Sequence, residues 1–337
     1  MKRTLITGGA GYVGAHTVHH LVREGMPPSR LVVFDNFSKG HREFVPAGVA
    51  IIAGDLRNPA EIMHAFAGGD IGSVIHFAGL AYVGESMQHP GRYFQTNVTG
   101  GLNLLDAMRA HACTRIVFSS TCSVYGVPST VPIDEDHPAK PINPYGESKR
   151  IFEQILAWYA AIHGIGSISL RYFNAAGAAF GIGEQHEPET HAIPLLLEAA
   201  LRKRDSFSVL GTDHPTRDGS CIRDYIHVAD LARAHELALE RLQAAAPAAE
   251  IFNLGTGIGT SVLELIDVAG SLLGGKVDFR IAPARAGDPP ALVASAARAG
   301  RELGWSATRD IRAILSDALD WHRRETRPAP HEPVSKR

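Results

Sequence analysis

Tyr145 and Lys149 stand four residues apart in Tyr145-Gly146-Glu147-Ser148-Lys149, a spacing that puts both side chains on one face of a helix. An ammonium beside a phenol favours the phenolate, drawing a group that ordinarily titrates at about 10 toward the range of a general base. Pro144, directly before, suits a helix's first turn. The same pair also occurs on ordinary helices, so its meaning depends on its surroundings. Upstream, the β-branched run 115–119 leads into Ser120-Thr121-Cys122-Ser123, which sets hydroxyls at the C-terminal end of a strand. Open α/β sheets hold their ligands at that edge, where one hydroxyl could share a proton with Tyr145.

A second constellation lies near the start. Gly8-Gly9-Ala10-Gly11-Tyr12-Val13-Gly14 spaces its glycines G-x-x-G-x-x-G between an apolar run and an amphipathic stretch. In such a turn one glycine makes a tight bend, another admits a pyrophosphate, and a third lets helix and strand pack closely. The anion then meets free N–H groups at a helix start. Asp35 closes the next apolar run 21 residues after Gly14, where a carboxylate can accept hydrogen bonds from ribose hydroxyls. A carboxylate there repels a 2′-phosphate, so the predicted cofactor is NAD rather than NADP. Asp55 and Leu56, after the third run, are placed to cover the adenine, although Asp55 could equally cap the following helix.

These residues need a scaffold. Short apolar runs at 4–7, 31–34, 50–53, 73–77, 115–119 and 167–170 alternate with longer amphipathic stretches, the pattern of parallel strands joined by right-handed crossover helices. A Rossmann-type doubly wound α/β sheet is expected over residues 1–174, with segments around 221–255 returning to it. After Asn174 the chain turns Gly/Ala-rich and polar, then helical at 191–202 and 228–242, and amphipathic again at 261–273 and 309–323. Residues 175–325 are read as a smaller mixed α/β substrate lobe and 326–337 as a frayed tail.

The totals bound the function. With 337 residues and 45% hydrophobic content, the chain can bury a large core. Its 33 basic and 35 acidic residues are scattered, leaving no electrostatic footprint for nucleic acid or an anionic membrane. Three cysteines, Cys113, Cys122 and Cys221, show neither C-x-x-C spacing nor an even count, which favours a reducing compartment. Met1-Lys2-Arg3 followed by apolar residues resembles a leader, but four glycines within 8–14 break its core, and no run reaches the ~20 apolar residues of a membrane span. A cytoplasmic protein is expected. His16, His19 and His20 include a pair four apart, yet no third ligand accompanies them, so they read as a solvent-facing helix with no metal. A G-x-S-x-G elbow fails at Arg150.

With these residues in place, the chain resembles the extended short-chain dehydrogenase/reductase family, and within it the UDP-sugar 4-epimerases. The matching words are the glycine turn with Thr7, Phe34-Asp35-Asn36, His76-Phe77-Ala78-Gly79, Asn143-Pro144 with Tyr145 to Lys149, Leu170-Arg171-Tyr172-Phe173-Asn174, Arg223-Asp224-Tyr225-Ile226-His227-Val228, Phe252-Asn253-Leu254-Gly255-Thr256-Gly257 and Arg285-Ala286-Gly287-Asp288. The resemblance implies NAD-dependent inversion at C4 of a UDP-sugar, UDP-glucose or UDP-galactose, through a transient 4-keto sugar. It implies that Tyr145 is the base, that Lys149 polarises it and holds the nicotinamide ribose, and that Thr121 binds the reacting oxygen. Gly8, Gly11, Tyr12, Val13, Gly14, Asp35, Asn36, Asp55, Leu56, Phe77, Ala78, Gly79, Asn97 and Tyr172 would line the cofactor. Phe173 and Asn174 would flank the substrate, Arg223 and Arg285 grip its diphosphate, and Asp288 binds the uridine ribose.

The chain departs from the pattern in two places. Ala81 stands where many relatives carry a phosphate-seeking lysine, which implies weaker cofactor retention unless other groups supply the charge. Leu292 stands where some carry a tyrosine that restricts N-acetylated sugars, which implies tolerance of UDP-N-acetyl sugars. The same apparatus would serve a UDP-pentose or UDP-N-acetylhexosamine 4-epimerase, whereas a non-catalytic NAD-binding regulator would have no need of Thr121, Tyr145 and Lys149. A 4,6-dehydratase would carry an acidic pair where Cys122 and Ser123 stand. The family further implies a homodimer.

Overall fold

A computed structural model describes residues 2–244, 246–284 and 288–324. In chain order the first part comprises β1 (Arg3–Thr7), α1 (Tyr12–Arg23), β2 (Leu31–Asp35), β3 (Ala50–Ala53), α2 (Pro59–Phe66), β4 (Ile71–His76), α3 (Val83–Gln88) and α4 (Pro90–Tyr93). A π-helical turn (Phe94–Thr99) leads into α5 (Gly100–Ala110), β5 (Arg115–Thr121), α6 (Pro144–His163) and β6 (Gly166–Tyr172). The remainder holds β7 (Asn174–Ala176), α7 (Ala192–Ala200), β8 (Phe207–Leu210), β9 (Ile222–Arg223), β10 (Tyr225–His227), α8 (Val228–Ala244) and β11 (Ala249–Leu254). After these come β12 (Thr260–Ser261), α9 (Val262–Leu273), β13 (Phe279–Ala282), β14 (Ala291–Leu292), α10 (Ala297–Leu303) and α11 (Ile311–Arg324).

Seven strands form one parallel sheet in the order β11-β6-β5-β4-β1-β2-β3, which makes the expected doubly wound α/β fold. Its inner strands are apolar on both faces because helices cover both. On one side α1, α8 and α10 bury Val18, Leu21, Leu231, Leu239 and Trp305; on the other α2, α5 and α6 bury Phe66, Leu104, Met108, Phe152 and Leu156. Each such side chain contributes roughly 1.5–3 kcal/mol of burial. The strand expected at 73–77 runs from Ile71 to His76, since Ile71, like Ile75, is fully packed.

Strand order reverses between β1 and β4, where Thr7 pairs with Phe34 on one side and His76 on the other. A crevice opens at such a switch point, beyond the strands' C-terminal ends. The smaller elements gather over this edge. α7, α9 and α11 pack around β8 with Leu196, Leu197, Val209, Leu265, Ile314 and Leu315, while β12-β9-β14 form a sheet of two-residue strands. The described helices include none long and apolar enough to cross a membrane.

The histidine-bearing helix α1 corrects one expectation. It packs against α8 rather than facing solvent, and His16 is fully buried, with Nδ1 2.7 Å from the Tyr12 carbonyl and Nε2 accepting from Ala179 N–H at 3.2 Å. His20 pairs with Glu236 of α8 at 2.7 Å. The residues read as a frayed tail lie outside the described part of the chain.

Candidate active site

The crevice floor is built from the glycine turn. Gly8 adopts φ +70°, and a Cβ there would lie 2.5 Å from the Ala78 nitrogen; one on Gly14 would lie 2.2 Å from the Gly8 carbonyl. Gly11 caps α1 in extended conformation, and this end of α1 has neither a side-chain cap nor an acidic residue in its first turn among the described residues. The uncovered N–H groups around Tyr12 and Val13, with the positive end of the helix dipole, therefore fit a pyrophosphate. Asp35, at the end of β2, accepts from Ala10 N–H at 3.0 Å and Phe37 N–H at 2.8 Å. Burial raises its pKa, and each carboxylate oxygen keeps capacity for a further donor such as a ribose hydroxyl.

Asn36 donates to Asp55 at 3.0 Å, and Arg57 clamps the same carboxylate, with one contact of 2.6 Å that holds it well below the usual carboxylate range. Asp55 does not cap α2, because Asn58 takes that position and accepts from Ala60 N–H. Leu56 is buried beneath. Across the crevice Phe77 and Ala78 donate their N–H groups to the Thr7 carbonyl, and a Cβ on Gly79 would meet Asn97 Oδ1 at 2.9 Å and Lys149 Nζ at 3.4 Å. Asn97 clasps both backbone groups of Leu80 and donates to Ser148 at 2.9 Å. It thus holds this loop against α6 from within the π-helical turn, an irregularity common at functional sites.

α6 starts where Asn143 accepts from Gly146 N–H at 2.8 Å with Pro144 in the first turn, and it ends at the left-handed Gly164. It presents Tyr145 and Lys149 on its buried face. Lys149 Nζ donates to the Ser119 carbonyl at 2.9 Å, and burial pulls its pKa down to about 8 against the opposing charge of Glu153. Thr121, the last residue of β5, lies near the Tyr145 hydroxyl and draws its pKa downward. Burial outweighs that pull and pushes Tyr145 well above its ordinary value. The spacing predicts a phenol acidified by the neighbouring ammonium; the structure instead turns that ammonium toward the Ser119 carbonyl, so desolvation governs. Tyr172 hydrogen-bonds the Ser119 hydroxyl, and burial pushes it up to about 12.

On the lobe side, Phe173 is buried in one cluster with Cys122, Val124, Tyr125, Ile133 and Leu292. Asn174 opens β7 and donates its backbone N–H to Asp224. Arg223 donates to the Ile222 and Pro289 carbonyls at 2.9 Å each and lies 3.7 Å from Asp288. β14 pairs Leu292 with Arg223. Arg285 lies outside the described residues.

Two supports are not singled out from the sequence. Glu153, one turn beyond Lys149, accepts from Ser120 at 2.5 Å and from Arg171 at 2.9 Å and 2.5 Å, and Arg171 reaches on to Tyr125 at 3.0 Å. Asp224 accepts from Thr256 N–H and hydroxyl at 2.9 Å and 2.6 Å, from Gly257 N–H at 3.0 Å and from Ala294 N–H at 3.1 Å. Only the strand-end and helix spacing could have suggested the first. The second depends wholly on distant partners.

Comparison with known proteins agrees with this geometry. Residues 4–255 match the model of the NAD dependent epimerase/dehydratase family. A UDP-glucose 4-epimerase of Rhizobium meliloti is 47% identical over 322 residues, covering 95% of this chain and 97% of that protein. The crystal structure of a UDP-glucose 4-epimerase from Brucella ovis in complex with NAD is similar with a TM-score of 0.90 at 44% identity, covering 95% of this chain and 98% of that one. The enzyme of the same name from Bifidobacterium longum, in complex with NAD+ and UDP, gives a TM-score of 0.90 at 36% identity, covering 96% and 98%. The chain joining a glycine-rich turn to the Tyr145–Lys149 helix across one sheet edge therefore belongs to the NAD dependent epimerase/dehydratase family.

Proposed function

We infer that this protein is an NAD-dependent UDP-glucose 4-epimerase, converting UDP-galactose and UDP-glucose into one another. The observation that carries the reading is the placement of Thr121, Tyr145 and Lys149 at the C-terminal edge of the sheet that bears the uncapped glycine turn and Asp35. NAD, when bound, accepts and returns the C4 hydride, and its cationic ring adds a positive charge that favours the phenolate. Tyr145 takes the proton of the C4 hydroxyl, while Thr121 holds the same oxygen and the Tyr145 hydroxyl in one chain of hydrogen bonds. Lys149 holds the nicotinamide ribose and adds its charge one turn from the phenol. The 4-keto sugar presents its opposite face before hydride and proton return, so the products balance with no net oxidation.

Arg223, with Arg285, grips the diphosphate, because a planar guanidinium matches phosphate oxygens. Asp288 binds the uridine ribose, and Phe173, Asn174 and Leu292 shape the sugar pocket. Residues 1–174 with 221–255 serve as the cofactor unit and 175–325 as the sugar-nucleotide lobe. Trp158 and Ile162, one turn apart on the outer face of α6 and 68% and 65% exposed, support a homodimer joined along that helix. The three buried free cysteines fit a cytoplasmic location.

The test is UDP-galactose deuterated at C4, given to protein purified without added cofactor. The deuterium should appear at C4 of UDP-glucose without dilution by protons of the solvent. Loss of the label to solvent or to added NAD would sink the reading.

A further inference from the structure

Between β7 and α7 the chain lays a loop over the glycine turn, and four of its side chains converge: Glu184, His186, Glu189 and His191. One ligand atom from each lies within 4.8 Å of all the others. Glu184 Oε1 is 3.2 Å from His186 Nδ1 and 2.9 Å from His191 Nδ1, while Glu189 offers Oε1 at 2.9 Å to His191 Nδ1 and Oε2 at 3.8 Å to His186 Nδ1. Nitrogen and oxygen ligands at zinc's ordinary ~2.0–2.1 Å stand roughly 3.3 Å apart along the edges of a tetrahedron. With Glu189 taken by Oε1, the separations of 3.2, 2.9 and 2.9 Å lie a little below that value.

A second observation points to the centre of the cluster. His186 Nδ1 is buried and makes no hydrogen bond of proper geometry within the described residues, although carboxylate oxygens lie close by. The carboxylates of Glu184 and Glu189 are 7% and 9% exposed, so a cation between them would offset both desolvation and mutual repulsion.

We propose that Glu184, His186, Glu189 and His191 form a tetrahedral site for a divalent transition ion of the zinc type. Two imidazoles and two carboxylates make a borderline nitrogen and oxygen donor set that suits zinc, and four protein ligands make the site closed and structural rather than catalytic. The spacing Glu184-x-His186-x-x-Glu189-x-His191 lies in a loop, where a search for histidines one helical turn apart does not find it.

Its place in the fold gives the ion a task. The His186 ring meets Tyr12 of the glycine turn edge-on at 6.3 Å and Tyr82 at 5.9 Å, and His191 packs on Tyr82 at 5.9 Å. The same loop accepts from Lys39 through the Glu187 carbonyl, and its Gln185 carbonyl lies 3.1 Å from His41 Nε2. An ion at the cluster staples the loop to both turns that line the cofactor crevice.

The test uses untagged full-length protein with its NAD, treated with chelator and titrated with Co2+. One equivalent should give the intense visible bands of tetrahedral cobalt, Zn2+ should displace it, and Zn2+ should raise Tm by about 5 °C. His186→Gln and Glu189→Gln should each lose both the bands and the Tm response. A parent that shows only weak octahedral colour and no Tm response overturns the proposal, whatever the variants do. So does a double variant that keeps the bands, since the ion would then bind elsewhere.

Discussion

Glu153 and Asp224 are both buried carboxylates that hold one side of the site, and they do so by different means. Glu153 stands on a regular helix and hydrogen-bonds one opposite charge, Arg171, in a nearly dry setting between β5, β6 and α6. Asp224 stands between two short strands and, among the described residues, hydrogen-bonds no cation; it gathers three backbone N–H groups and one hydroxyl instead. Where long strands already carry a ladder of hydrogen bonds, a buried charge is free to align catalytic side chains. Where strands are two residues long, as in β9, β12 and β14, a carboxylate takes the place of the missing ladder. On the proposed function, the crevice side orders chemistry and the lobe side orders grip.

Kinetics sharpen that division most strongly. Tyr145→Phe removes the only hydroxyl of its side chain and should lower kcat by about 10²–10⁴-fold with KM little changed, the range of a lost acid–base group. Arg223→Lys keeps the charge but loses the planar fork, and should raise KM about tenfold with kcat nearly intact. Steady-state turnover of UDP-galactose measures both. If the tyrosine variant changed mainly KM, or the lysine variant mainly kcat, the two sides would not have separate tasks.

Urea unfolding then compares the supports themselves. Glu153→Gln leaves the Arg171 guanidinium buried without its counter-charge and should cost about 3–5 kcal/mol. Asp224→Asn replaces one acceptor oxygen by an NH2 group facing two N–H donors, and should cost about 2 kcal/mol. The reverse order would break the comparison.

Lys149 allows a pH test of how dry the crevice side is. Its folded pKa of about 8 lies below the ordinary 10.5, so the folded state holds this proton less tightly than the unfolded chain does. Below pH 8 both states are charged and folding bears the whole burial penalty. Between about 8 and 10.5 the folded protein sheds the proton while the unfolded chain keeps it, so this contribution to stability rises with pH. In NAD-free protein, Lys149→Met should therefore be more stable than the parent at pH 7 by about 3 kcal/mol, with the advantage closing by pH 10.5. A gap independent of pH would mean that water reaches the ammonium.

What the sequence makes legible divides along the same line. The glycine turn, Asp35 and the Tyr145–Lys149 pair announce themselves through spacing, because one helical turn and one strand-to-helix bend fix their geometry locally. The tyrosine's titration does not, since burial depends on elements folded over it from elsewhere in the chain. Asp224 finds partners 32, 33 and 70 positions away, which no local pattern encodes. His16 shows the same limit: its spacing fits a surface helix, and only the packing of α8 and the loop at Ala179 buries it. Even a cap can slip, as Asn58 rather than Asp55 opens α2, because the Asp55 carboxylate is engaged by Arg57.

Leu292 carries the finest distinction, because the proposed function sets it in the wall of the sugar pocket. It pairs with Arg223 in β14 and packs in one cluster with Phe173 and Cys122, next to Thr121. A leucine is shorter than a tyrosine, so if Leu292 lines the sugar pocket as proposed, the parent should turn over UDP-N-acetylglucosamine measurably. Leu292→Tyr should then lower kcat/KM for UDP-N-acetylglucosamine about tenfold more than for UDP-galactose, the discrimination that a contact of this size provides. Overpacking would cost roughly 1–3 kcal/mol of stability, which lowers activity toward both sugars together and so leaves their ratio as the informative quantity. A ratio unchanged by the substitution would mean that Leu292 belongs to the fold of the lobe and not to the sugar pocket.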